Sequence, residues 1–411
     1  MRLLQEIYLR VKTNDPTLDE IVIDFKRSSF QADAFFPEAA LKMFSEALKV
    51  NTQTTQLTIR NISLGVGSAH LLSEILTENK TLKLLALEDI RSGEAASLAL
   101  ADALQRSKTI VKLHLRAIGL SSAGAASLGR LLEINESLQE LRLGHNTMDA
   151  AAATVFARGL QRTRSLRILD LENNGMDDLA ITEIARGLER NTSVEYLCLD
   201  FNNFGPQGVI ALGRMLKSNA SLKALHLFGN HICARGAQYL ASALELNETL
   251  TSLVLSFNDI GDVGAAALAR SLERNTTLTK LWLPANGLGN GAIRAFGESL
   301  PEMRGLKQLN LGDIFDNVGA TSILEGLRYN VELDTLLMES ILFDDNAIAA
   351  EIELYLSANK IGRRILRDPH VPSSIWPLMF ARANDHECGE TPKALYYFIR
   401  QKPDVFSHLT R

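Results

Sequence analysis

Cysteine is scarce in this chain: three in 411 residues, at positions 198, 233 and 388. Disulfide-stapled extracellular scaffolds use many more and pair them, so a cytoplasmic location is expected. Long apolar runs are missing as well. No stretch approaches the roughly 20 residues that a membrane-spanning helix needs. The opening MRLLQEIYLRVK is interrupted by Gln5, Glu6 and Arg10, which does not suit the apolar segment of a secretory signal. Nor is there a basic excess, since 43 Lys and Arg stand against 48 Asp and Glu, for a net charge of −5. Nucleic-acid surfaces are strongly basic, so the expected partner is not a nucleic acid. The phosphate-cradling pattern G-x-x-x-x-G-K-[ST] is also absent, and with it the usual nucleotide-binding loop.

What the chain has in abundance is leucine in register. The pattern L-x-x-L-x-L starts at Leu82 and returns at Ile110, Leu138, Leu166, Val194, Leu222, Leu250, Leu278 and Leu306, each step 28 residues. Weaker copies begin at Thr54, Leu18 and Leu333, giving about 12 units. Such a period is the signature of a solenoid, in which each unit buries its apolar face only against its neighbours.

One unit shows the chemistry. With Leu250 as position 1, Leu253 and Leu255 alternate with Ser252, Val254 and Ser256, the period-2 pattern of a short strand. Gly261 and Gly264 mark a turn, and Ala265, Leu268, Ala269 and Leu272 then recur at helical spacing. Asn275 is expected to end the helix by tolerating the left-handed conformation of a C-cap. Parallel strands lie about 4.8 Å apart and helices about 10 Å. The predicted fold is therefore an α/β horseshoe, with a parallel sheet on its concave side and helices on its convex side.

At position 9 the same amide returns as Asn146, Asn174, Asn202, Asn230, Asn258 and Asn286. Its donors and acceptor suit backbone groups that a turn leaves unpaired, so a structural ladder is expected, not a catalytic amide. The N-x-[ST] matches at Asn135, Asn191, Asn219, Asn247 and Asn275 are read as products of the repeat, not as glycan acceptors.

Residues 1–50 are expected to form an N-terminal cap with a first degenerate repeat. Residues 51–340 hold the 28-residue repeats, and residues 341–411 a helical C-terminal cap. Within that cap, Ser374 to Pro377 and Thr391 to Lys393 look like helix starts. Lys360, Arg363, Arg364 and Arg367 are read as a solvated helix face.

The outward strand positions 3, 5, 7 and 8 are the candidates for function. Toward the N-terminal side they carry Lys112, His114, Arg116, Arg142 and His145, followed by the acids Asp170, Glu172 and Asp200. An aromatic sector comes next, with Tyr196, Phe201, His226, Phe228, Phe257 and Trp282. The leucines already fill the core, so these rings are expected to bind a partner, with Arg116 and Arg142 as a secondary contact. Asp170, Cys198 and His226 share one row, but a working triad needs its histidine between nucleophile and acid, and here the cysteine is in the middle. His114, His145, His226 and His231 show no tight ligand spacing. No catalytic residue, metal or cofactor is expected.

The L-x-x-L-x-L-x-x-N units over residues 54–340 resemble those of the ribonuclease inhibitor, of NOD-like immune receptors and of the Ran GTPase activator. The resemblance implies a leucine-rich-repeat fold and a protein partner. It also implies an alternative, a small-GTPase regulator in which Arg116 or Arg142 completes a partner's phosphate site.

Overall fold

A computed structural model describes residues 2–24, 38–92, 94–312, 316–338 and 346–361. The expected helix starts near Ser374 and Thr391, and most of the basic run after Lys360, lie outside these residues. The chain divides into two compact units, Met1–Asn230 and His231–Arg411.

In the first unit eight strands pair in parallel and in chain order: Glu20–Asp24, Gln56–Arg60, Leu84–Glu88, Lys112–Arg116, Glu140–Arg142, Ile168–Asp170, Tyr196–Cys198 and Ala224–His226. A helix follows each strand, for example Ala150–Arg162, Asp178–Leu188 and Pro206–Ser218, and the helix after the last strand, Ala234–Leu244, belongs to the second unit. In the second unit the strands Ser252–Val254, Lys280–Trp282, Gln308–Gly312 and Thr335–Met338 pair in the same way. Their helices include Gly261–Leu272 and Asn317–Tyr329.

The 28-residue step fixes the register. Arg142 pairs with Asp170, Asp170 with Cys198, and Cys198 with His226, so equal repeat positions stand side by side. One face of each strand is the core: Leu169, Leu171, Leu197, Leu199, Leu225 and Leu227 are fully buried. Helix residues such as Phe156 and Ile184 close the same core. Burying one leucine side chain is worth about 1.5–3 kcal/mol, and every repeat contributes several.

The position-9 asparagines are hydrogen-bonded to the turns around them. Asn202 Nδ2 donates to the carbonyls of Leu171, Leu199 and Asp200 at 3.0–3.2 Å. Its Oδ1 accepts from the amides of Asn174 and Met176 in the preceding repeat. Asn146, Asn174, Asn230, Asn258 and Asn286 bond strand-end carbonyls in the same way. Each amide thus ties its own turn, and several also hold the turn before it.

A second ladder stands at the other edge of the repeats, and it corrects the reading of Asn275. That residue is not in a left-handed conformation, and its helix ends at Leu272. Where the equivalent asparagine is itself the C-cap, as at Asn135 and Asn219, the backbone is extended. The side chain does the work instead. Asn275 Nδ2 donates to the carbonyls of Leu244 and Asn247, and its Oδ1 accepts from the amides of Thr277 and Leu278. Asn191 and Asn219 repeat the arrangement. The hydroxyl two residues on also takes part, as when Ser221 Oγ donates to the Asn191 carbonyl at 3.1 Å. Both polar residues of this N-x-[ST] are therefore engaged in repeat stacking. Asn191, Asn219, Asn247 and Asn275 are all buried.

Candidate functional site

The outward face of the strands in the first unit holds two different surfaces. Across Lys112–Arg116, Glu140–Arg142 and Ile168–Asp170 the surface is ionic and closed on itself. Glu140 is 6% exposed, and its carboxylate meets His114 Nε2 at 3.0 Å, Arg142 Nε at 2.6 Å and Lys112 Nζ at 3.6 Å. Burial alone would raise the Glu140 pKa, but Arg142 and His114 outweigh it and hold the carboxyl below its usual range. Burial pushes His114 down, only partly offset by Glu140. One strand further, Arg116 Nη1 bonds Glu172 at 2.7 Å and Arg116 Nη2 meets His145 Nε2 at 2.7 Å. Glu172 is likewise held low, by Arg116 and then His145, against the effect of burial. Arg116 and Arg142 are therefore not the available cations that their positions alone imply. The acids that neutralise them come from the same rows.

The second surface belongs to Tyr196–Cys198, Ala224–His226 and the turns that follow them. The Tyr196 and His226 rings meet edge-on with centroids 4.9 Å apart, and the Tyr196 hydroxyl lies 3.1 Å from His226 Nδ1. Asp200 Oδ1 accepts the Phe228 amide at 2.7 Å, while Oδ2 faces His226 Nδ1 across 4.0 Å. The Cys198 thiol also bonds the Asp200 carboxylate. Burial, then the nearby carboxylate of Asp200, pushes the Cys198 thiol far up; burial and then Cys198 do the same to the Tyr196 phenol. A thiol so protonated is a poor nucleophile. Asp200 itself is raised by burial, although its hydrogen bonds oppose this.

Phe201 and Phe228 pack edge-on at 4.8 Å. Phe201 is 51% exposed, and in the second unit Phe257 is 58% exposed. Both have positive φ, 52° and 56°. Position 8 is left-handed along the array: Asn61, Asp89, Ala117, His145, Asn173, Gly229 and Ala285 share the conformation. Asn, Asp and Gly suit it, whereas a bulky L side chain pays about 1–2 kcal/mol there. Gly229 has a second reason to be glycine, since a Cβ there would lie 2.8 Å from Phe201 Cδ1. Trp282 is only partly exposed, with the Lys280 ammonium 3.9 Å from its ring centroid. Within the expected aromatic sector, the structure thus brings Tyr196 to His226 and Phe201 to Phe228. Phe257 and Trp282 belong to the second unit.

Two features escape a reading by rows. One is Asp200, which joins Cys198 and His226 from position 7, where the row of position 5 offered only Asp170. The other is the left-handed column. Its Asn, Asp and Gly members carry the signal, because these residue types favour that conformation.

A family described as leucine-rich repeat matches residues 190–213, 218–241 and 246–269. Two solved structures are similar in part. An internalin from Listeria monocytogenes is 15% identical over 85% of this chain and 90% of its own, with a TM-score of 0.49. The actin-binding site 2 of leiomodin-1 is 23% identical over 39% of this chain and 76% of its own, with a TM-score of 0.27. No curated protein matches. At these scores the fold rests on the repeats and on the strand pairing, and together they make the chain a leucine-rich-repeat solenoid.

Proposed function

We propose that the chain is a non-enzymatic protein-binding module that takes its partner on the outward face of its strands. Leucine-rich-repeat solenoids in general present extended binding surfaces to protein partners. The observation that carries the reading is the placement of Phe201 and Phe257. Each ring is more than half exposed on a backbone that disfavours it. Strained, exposed aromatics contribute little to folding, and such outliers cluster at sites of function. In the first unit Tyr196, His226 and Phe228 lie beside Phe201 in the outward set; Phe257 and Trp282 belong to the second unit. The specific role is that of a scaffold or adaptor, working in the cytoplasm. The scarcity of cysteine and the buried asparagines of the N-x-[ST] matches support that location.

The GTPase-regulator alternative needs a cation able to reach a partner's phosphate. Its candidates, Arg116 and Arg142, are each ion-paired to a glutamate, so the geometry lends it no support.

The test is site-specific photocrosslinking in native cells. A benzophenone side chain at position 201 should capture a protein that unlabelled chain competes away. The same group at Leu179, an exposed helix position, should not. Equal capture at both positions would overturn the assignment of the face.

A further inference from the structure

Among the described residues, Cys198, Asp200 and His226 bring a thiol, a carboxylate and an imidazole together, with one donor atom from each inside a span of 4.8 Å. They come from two neighbouring repeats: Cys198 and Asp200 from positions 5 and 7 of one, His226 from position 5 of the next. Cys198 is 6% exposed, while the side chains of Asp200 and His226 retain 19% and 27% exposure. The trio is therefore rooted in the sheet and opens on one side to solvent.

A closed hydrogen-bond knot would account for part of this, but not for the gap. Asp200 Oδ1 is engaged by the Phe228 amide at 2.7 Å. Oδ2 instead faces His226 Nδ1 at 4.0 Å, too far for a hydrogen bond. An acid and a base thus face each other across a space, with a sulfur beside them. The surroundings are electronegative: Asp170 pairs in register with Cys198, and Glu172 adds a further carboxylate close to Asp200.

We propose that Cys198, Asp200 and His226 form a site for a zinc-class transition-metal ion, with an open fourth position on the outward face of the strands. The donor set selects the metal. Sulfur and imidazole nitrogen favour zinc and its neighbours over calcium or magnesium, which take oxygen. Tetrahedral zinc with bonds of about 2.0–2.3 Å holds its donors about 3.3–3.8 Å apart, so the trio closes in by about 1 Å at its widest pair. Binding displaces the thiol proton to solvent, and the Tyr196 hydroxyl yields Nδ1 to the ion. The repeat register already sets Cys198 beside His226; what it did not offer is Asp200, which joins them from position 7.

Cobalt(II) added to the full chain tests this, since thiolate ligation to cobalt produces an intense near-ultraviolet charge-transfer band. The band should saturate at one equivalent and be displaced by zinc. Cys198→Ser should abolish it. His226→Phe, which keeps a ring against Tyr196 and removes both nitrogens, should demand much more cobalt for saturation. The Cys233→Ser/Cys388→Ser variant leaves Cys198 as its one thiol and should retain the whole band, which keeps the test valid even where Cys198→Ser folds poorly. Absence of a band in the wild-type chain with excess cobalt overturns the proposal. So does a band that survives Cys198→Ser or vanishes from the double variant.

Discussion

Two stretches of the same sheet, Lys112–Asp170 and Tyr196–Phe228, differ only in what they turn outward. Behind both lie the same buried leucines and the same asparagine turns. On the first stretch, Glu140 and Glu172 gather His114, Arg116, Arg142 and His145 into ion pairs, leaving a polar surface already satisfied by itself. On the second, rings and a thiol–carboxylate–imidazole trio replace the ion pairs, and Phe201 holds an unfavourable backbone while half exposed. The scaffold tolerates either surface. A self-satisfied ionic face adds little affinity for a partner, because its charges are already paired. The aromatic face is the one whose composition folding does not explain.

The largest expected effect tests the shared scaffold. Leu141→Ala and Leu197→Ala, one behind each surface and both fully buried, should each cost about 2–5 kcal/mol of stability by urea titration. A much smaller loss at Leu197 would mean that the aromatic stretch packs differently. Next comes the ladder. Asn202→Leu should cost about 1–3 kcal/mol, because turn donors and acceptors lose their partner. Asn146→Leu should cost less, since Asn146 is half-buried whereas Asn202 is buried. A reversed order would sink the view that burial sets the value of each amide.

Acid separates the two surfaces more finely. Glu140 and Glu172 are both held below their ordinary value of 4.5 in the folded chain. Their stabilisation is complete above that value and is lost as pH falls through the lower folded value. Glu140→Gln should therefore flatten the decline in stability on acidification below about pH 4.5, whereas Phe201→Asn should leave it unchanged. An unaltered slope in Glu140→Gln would show that its ion pairs contribute nothing. The smallest expected effect has the opposite sign. Phe257→Asn should stabilise the chain by up to about 1 kcal/mol, because asparagine accepts the left-handed backbone.

Most of the fold was legible because the leucines and the position-9 asparagines answer to local, periodic demands. Leu169, Leu197 and Leu225 are core for the same reason in each repeat, and one repeat predicts the next. Contacts between outward side chains obey no such period. Arg116 finds Glu172 two repeats away, and Asp200 bonds Cys198 and faces His226 from position 7, outside their row. The expected basic sector therefore emerged as paired charge. Asn275 was expected to end its helix through a left-handed backbone; the helix ends at Leu272 instead, and the amide serves through its side chain. The exposed phenylalanines were visible as outward residues. Their strain was hidden until the backbone conformation of the whole column was known.

The exposed rings of Phe201 and Phe257 are expected to serve a partner and not the fold. The most direct measurement pairs thermal melts with calorimetric titration of the crosslinked partner, using the Phe201→Asn/Phe257→Asn chain against wild type. The melting temperature should equal or exceed that of wild type, together with a loss of about 2 kcal/mol or more in binding. A lower melting temperature with undiminished binding would contradict this expectation, by making the rings part of the scaffold.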